Sequence, residues 1–75
     1  LARGQDGSWV VIELKIVPAT GTNFTQLLSY LQDLSFSGYP QEQIRGILVA
    51  PGFGQKVLNA AGGDKRVWLL RYDFE

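Results

Sequence analysis

The chain has 75 residues, seven Lys or Arg against seven Asp or Glu, and neither His nor Cys. That length allows one domain with a small core, since a domain of this size buries only about 60–65% of its unfolded surface. Disulfides, thiolate zinc sites and histidine-based catalysis are excluded, the balanced charge gives no basic field for nucleic acid, and no apolar run reaches the ~18–20 residues that span a bilayer.

No signal-peptide pattern is present, and an abrupt apolar start at Leu1 without Met leads us to expect a soluble, intracellular piece of something longer. Leu1 to Arg3 reads as a short strand. Asp6-Gly7 before the next apolar run is a strong hairpin signal, because Gly accepts the positive φ of the turn. Trp9 to Val17 then reads as a long strand that Pro18 ends by removing a backbone donor. Thr22 or Asn23 is the expected N-cap of a helix over 23–34, with Phe24, Leu27, Leu28, Leu31 and Leu34 in one apolar stripe. Ser35 to Gln43 is a loop, Ile44 to Ala50 a strand, Gln55 to Ala61 a short helix after the turn Pro51-Gly52-Phe53-Gly54, and Val67 to Tyr72 a last strand. The unbroken Ile47-Leu48-Val49 predicts a strand buried on both faces. A strand–helix–strand order at this length favours a parallel pair, so the expected fold class is α/β: a small mixed β-sheet with a hairpin, one main amphipathic helix and a strand-helix-strand crossover, forming a single partial domain over 1–75.

The second strand poses a chemical question. In Val10-Val11-Ile12-Glu13-Leu14-Lys15-Ile16-Val17, a Glu and a Lys interrupt an apolar β-branched run. Burying either without a partner is costly. Alternation puts Trp9, Val11, Glu13, Lys15 and Val17 on one face, leaving Val10, Ile12, Leu14 and Ile16 to bury on the other. One reading is a half-exposed strand with a surface ion pair worth about 0–1 kcal/mol. The other is a metal-dependent phosphodiester cleavage site: a carboxylate holds Mg²⁺ or Mn²⁺ through oxygen, and the ammonium beside it stabilises charge developing on phosphorus oxygens. Spacing of two on a strand projects both groups into the same small volume, and the Leu14 carbonyl between them could face the metal.

On the helix, Gln26, Tyr30 and Asp33 form a line away from the apolar stripe. A core Tyr would sit on the stripe, so this is either a solvated face containing a Tyr or a surface reaching toward a phosphate backbone.

Taken together, E-x-K on a strand and Q-x-x-x-Y (Gln26 to Tyr30) on the next helix resemble the RecB-like branch of the PD-(D/E)xK nuclease superfamily. Leu1-Ala2-Arg3, Asp6-Gly7, Val10 to Lys15, Gln26 to Tyr30, Arg45-Gly46-Ile47-Leu48-Val49-Ala50-Pro51 and the closing Val67 to Tyr72 are similar to the C-terminal nuclease domain of NucS-type endonucleases, over nearly the whole chain. The resemblance implies an N-terminally truncated restriction-endonuclease-like core and a Mg²⁺- or Mn²⁺-dependent DNA endonuclease. In it Glu13 is a metal ligand with the Leu14 carbonyl, Lys15 the catalytic lysine, and Gln26 and Tyr30 line the site. DNA is the implied partner, with no membrane association.

There are three departures from that pattern. The first acidic ligand has no clear counterpart and would fall at or just before Leu1, with Asp6 a poor substitute because a turn carboxylate points away from the sheet centre. Ile16 stands where a basic residue often follows the Lys, and the N-terminal helix expected to cover the sheet is missing. Two alternatives therefore stay open: a catalytically inactive nuclease fold kept for DNA binding or protein interaction, and an unrelated α/β module with a surface ion pair. Either a homodimer or reliance on a missing N-terminal segment or domain is expected, since a short mixed sheet needs cover.

The segment Pro51 to Lys56 lacks the spacing and the Ser/Thr of a phosphate loop, so it reads as a strand-to-helix turn. Arg45, Arg71 and Lys65-Arg66 read as solvated strand ends and loop, and Trp9 and Trp68 as core or sheet-rim aromatics.

Overall fold

In the computed structural model, residues 1–73 are described. Strand β1 (Ala2–Arg3) pairs antiparallel with β2 (Trp9–Leu14), Ala2 opposite Val10 and Arg3 opposite Trp9. The Asp-Gly hairpin forms as expected, with Gly7 at φ 86° and Gly4 N–H donating to the Ser8 carbonyl at 2.7 Å. Helix α1 (Gly21–Phe36) carries the chain to β3 (Ile44–Ala50), which lies parallel to β2; helix α2 (Gln55–Gly62) carries it on to β4 (Val67–Arg71), parallel to β3. The four-stranded sheet has the order β1-β2-β3-β4. This is the small mixed α/β sheet that the sequence predicts.

Both crossovers step in the same direction across the sheet. Right-handed connections of that kind place both helices on one face. That face carries Val11, Ile44, Gly46, Leu48, Ala50, Val67 and Leu69, and the core forms where Phe24, Leu27 and Leu31 of α1 and Val57 of α2 meet it. Helix α1 sits close because Gly46 has no side chain: a Cβ there would lie 3.2 Å from Leu27 Cγ.

Several boundaries differ from the sequence reading, each for a local reason. The cap of α1 is Thr20, not Thr22 or Asn23. Asn23 N–H donates to the Thr20 hydroxyl and the Asn23 side-chain oxygen accepts from Thr20 N–H at 2.9 Å, a reciprocal capping box that adds a turn to the helix. At the other end the helix runs to Phe36. Gly38, at φ 100°, lets Tyr39 N–H reach the Leu34 carbonyl and Gly38 N–H the Ser35 carbonyl, the paired bonds of a Schellman cap. Strand β2 stops at Leu14 rather than Val17. Lys15 N–H still bonds the Val49 carbonyl at 2.8 Å, but the chain then bulges through Ile16 to Pro18 and rejoins beside β3 only at Ala19. There Ala19 N–H donates to the Gly52 carbonyl and Gly54 N–H to the Ala19 carbonyl.

The assignment of faces on β2 is the main correction. Ile12 and Leu14, expected to bury, are 54% and 63% exposed because they lie on the face opposite both helices, and Ile16, also expected to bury, is 77% exposed in the bulge beyond β2. Trp68 and Leu70 of β4 share that face and are exposed among the described residues, so Trp68 is not a core aromatic. Burial along β3 alternates for the same reason, with Ile47 and Val49 only half-buried. Trp9 does fit a rim position, edge-on to Tyr39 with ring centroids 5.1 Å apart and with the Arg3 guanidinium 4.2 Å from its own ring centroid. No described helix is long and apolar enough to cross a membrane.

Candidate functional site

The site grows from β2. Strand alternation carries Glu13 and Lys15 to the helix-covered face, and the register sets Glu13 opposite Leu48 of β3. Lys15 Nζ stands 3.4 Å from Glu13 Oε1, with the two side chains 26% and 27% exposed. At that exposure they are too enclosed for a free surface pair and too open for a buried one. Charges so enclosed are partly desolvated, which strengthens their interaction with an incoming ion or phosphate.

The Lys15 backbone is fixed on both sides. Its N–H bonds Val49, and its carbonyl accepts from the Tyr72 hydroxyl, which reaches across from the end of β4. Successive strand residues turn their backbone groups to opposite edges. With Lys15 bonded toward β3, the Leu14 carbonyl faces the β1 edge, where pairing extends only to Val10.

Gln26 and Tyr30 share one surface of α1, a turn apart, as expected from their spacing. Gln26 is exposed and Tyr30 is 46% exposed, so Tyr30 is not a core residue. Among the described residues no hydrogen bond joins either one to Glu13 or Lys15. Gln26 instead lines a shallow groove with Thr22, Thr25, Ser29 and Lys56, between α1 and the start of α2. Asp33 continues the exposed line one turn beyond Tyr30.

Asp6 takes no part in the site. Its carboxylate closes the hairpin turn by accepting from Ser8 N–H at 3.0 Å, and hydrogen bonds from Ser8, hydroxyl first and then backbone, hold its pKa below the usual carboxylate value. Other charged side chains are held in local contacts of their own. Arg66 grips Asp64 through Nε and Nη2 at 3.1 and 2.9 Å, which lowers the pKa of Asp64 and raises that of Arg66. Arg45 Nη1 donates to the carbonyls of Glu42 and Ile44. Among the described residues no three acidic side chains gather into a metal-binding group.

Lys56 joins the groove beside Gln26 through tertiary contact, and the role of the Tyr72 hydroxyl escaped the sequence reading. The Tyr72 hydroxyl bond to Lys15 did leave a trace in the sequence, because Pro51 directly after β3 announces a ladder position without an N–H.

No protein-family model and no curated protein matches the chain. Solved structures do. A repair endonuclease from Pyrococcus abyssi superposes with a TM-score of 0.82 at 28% identity, over 95% of this chain and 30% of that one. EndoMS in its apo form gives 0.82 at 30% identity, over 97% of this chain and 31% of that one. This chain shares the fold of EndoMS-type repair endonucleases. An EndoMS complex with double-stranded DNA superposes at 0.70 with 33% identity, over 97% of this chain and 30% of that one. The chain thus spans under a third of the EndoMS-type chains it matches, and the matched part holds a nuclease-type domain with the Glu13–Lys15 pair on its helix-covered face.

Proposed function

We infer that this chain is the portion of a DNA endonuclease that holds a divalent cation beside a catalytic lysine. One observation carries the reading: Glu13 and Lys15 stand side by side, half-buried, in a fold shared with repair endonucleases. The donors fit the group. A carboxylate and a strand carbonyl are hard oxygen ligands, and Mg²⁺ or Mn²⁺ characteristically takes one or two carboxylates while keeping waters and sharing substrate phosphates. Glu13 and the Leu14 carbonyl would hold it, and it would supply Lewis-acid polarisation of the phosphodiester and an acidified water.

The protein's own groups do the rest. The Lys15 ammonium, restrained by Glu13 and by its doubly bonded backbone, donates toward the oxygens on which negative charge builds. Gln26 and Tyr30 offer an exposed amide and phenol to the sugar-phosphate backbone, and Lys56 adds one positive charge to the groove that Gln26 lines. With a net charge of zero, the chain must hold DNA through such local groups rather than a general field. Double-stranded DNA is the substrate class suggested by the EndoMS complex.

The second reading, a nuclease fold that binds DNA without cutting it, is favoured by the single carboxylate at the site among the described residues. Because Ala2 pairs with Val10, a strand residue opposite Glu13 would stand ahead of Leu1, so the full-length protein is the right object for the test. It should cut double-stranded DNA, in branched or mismatched form, only with Mg²⁺ or Mn²⁺. Lys15→Ala should lower kcat about 10²- to 10³-fold. Glu13→Gln removes a direct ligand and should weaken metal binding by more than the roughly 10-fold that loss of a ligand's hydrogen-bond partner costs, read by Mn²⁺ titration. Metal-independent DNA binding with no cleavage would establish the second reading instead.

A further inference from the structure

The end of β2 has a defect that the fold repairs from a distance. In a parallel ladder each residue that donates to the neighbouring strand also accepts from the residue two positions further along it. Lys15 N–H donates to the Val49 carbonyl, so the Lys15 carbonyl should accept from position 51. Position 51 is proline and has no N–H. On the far side of β3, Tyr72 N–H donates to the Ala50 carbonyl, and the register of Ala50 with Arg71 places Tyr72 beside Pro51. From there the half-buried Tyr72 side chain reaches past the proline, and its hydroxyl donates to the Lys15 carbonyl.

We propose that Tyr72 is a positioning residue for Lys15: its hydroxyl replaces the ladder bond that Pro51 cannot make and fixes the backbone from which the lysine projects. This inference rests on the assignment of Lys15 above and adds a residue to it. The bond matters because Lys15, one residue past β2, is the last residue tied to β3 before the chain leaves the sheet. Immediately after it the chain bulges through Ile16 and Val17, 77% and 59% exposed, before Ala19 rejoins the sheet. Without the Tyr72 hydroxyl, the peptide leaving Lys15 would gain the freedom of that bulge, and the ammonium would lose its fixed place beside Glu13. A displacement of about 1 Å at a reacting group is enough to cost about 10²-fold in rate.

Pro51 supplies the decisive control. Pro51→Ala restores an N–H at the ladder position and should substitute for the hydroxyl. In the full-length protein, Tyr72→Phe should lower kcat for metal-dependent DNA cleavage about 10- to 100-fold with KM little changed. Adding Pro51→Ala to Tyr72→Phe should recover most of that loss, which a general loss of stability would not allow. The metal-free protein gives a readout that needs no activity. The ¹³C shift of the Lys15 carbonyl should move in Tyr72→Phe and return in the double variant. Unchanged kcat in Tyr72→Phe, an unmoved carbonyl shift, or failure of Pro51→Ala to rescue would each overturn the proposal. If the wild-type protein cuts no DNA while the Lys15 carbonyl still responds to Tyr72, the nuclease reading falls and the hydroxyl's hold on the Lys15 backbone remains.

Discussion

Gly46→Ala probes how α1 is seated on the sheet. A Cβ at position 46 would meet Leu27 at 3.2 Å from Cδ2 and Cγ and 3.3 Å from Cδ1. Carbon pairs are comfortable at about 3.5–4.0 Å, so Leu27 would have to retreat by about 0.3–0.5 Å. Leu27 has no exposed surface and is enclosed by the rest of the core, which leaves only an off-rotamer side chain or a lifted helix. Overpacking of this kind costs about 1–3 kcal/mol, against about 0.4–1 kcal/mol gained because alanine restricts the unfolded chain. The net expectation is a loss of about 0.5–2 kcal/mol. In a Leu27→Ala background, itself destabilised by about 2–5 kcal/mol, the clashing atoms are gone and the added methyl enters the cavity. There the same substitution should be neutral or stabilising, giving a coupling of about 1–3 kcal/mol. Urea denaturation of the four proteins, followed by the fluorescence of Trp9 against Tyr39, measures it. An equal effect of Gly46→Ala in both backgrounds, within about 0.5 kcal/mol, would refute the close seating of α1 on Gly46.

Two further predictions concern a helix cap and an ion pair. Thr20→Ala removes the hydroxyl that accepts from Asn23 N–H and should destabilise the protein by about 1 kcal/mol, with faster amide exchange confined to the first turn of α1. Thr20→Asp, which keeps an acceptor, should restore protection. The Asp64–Arg66 pair gives a pH dependence with a definite sign. The folded pKa of Asp64 is lowered, so its contribution is present above the unfolded value near pH 4 and is lost as pH falls through the folded value. Arg66, its pKa raised by the same pair, stays charged throughout that range. Because the pair is partly solvated, its worth is about 0.5–1 kcal/mol, and Asp64→Asn should flatten the acid limb of the stability curve between about pH 5 and pH 2 by that amount.

How much of this was legible beforehand depends on whether the signal was local. The Asp-Gly hairpin, the apolar stripe of α1 and the limits of β3 rest on residues close in sequence, and the structure has them where the pattern puts them. Helix ends were read less well because a cap is a choice among neighbours. Thr20 prevails over Thr22 since Asn23, three residues on, can return the hydrogen bond, and Gly38 extends the far end by admitting a left-handed residue. Alternation alone put Glu13 and Lys15 on one face, and their 3.4 Å approach follows from strand geometry.

Alternation does not say which face a helix will cover. Val10, Ile12 and Leu14 look like the buried set because they are uniformly apolar. Two crossovers stepping the same way across the sheet instead put both helices on the face that carries Val11 and Glu13, and leave Ile12 and Leu14 exposed among the described residues. Topology overrode hydropathy because the helices must follow the chain, and the chain can cross a twisted sheet favourably in one hand only. The sequence by itself thus determined the elements and the pairing of Glu13 with Lys15. Tertiary structure decided that this pair sits half-enclosed on the helix-covered face, and that Tyr72, fifty-seven residues along the chain, bonds the backbone of its lysine.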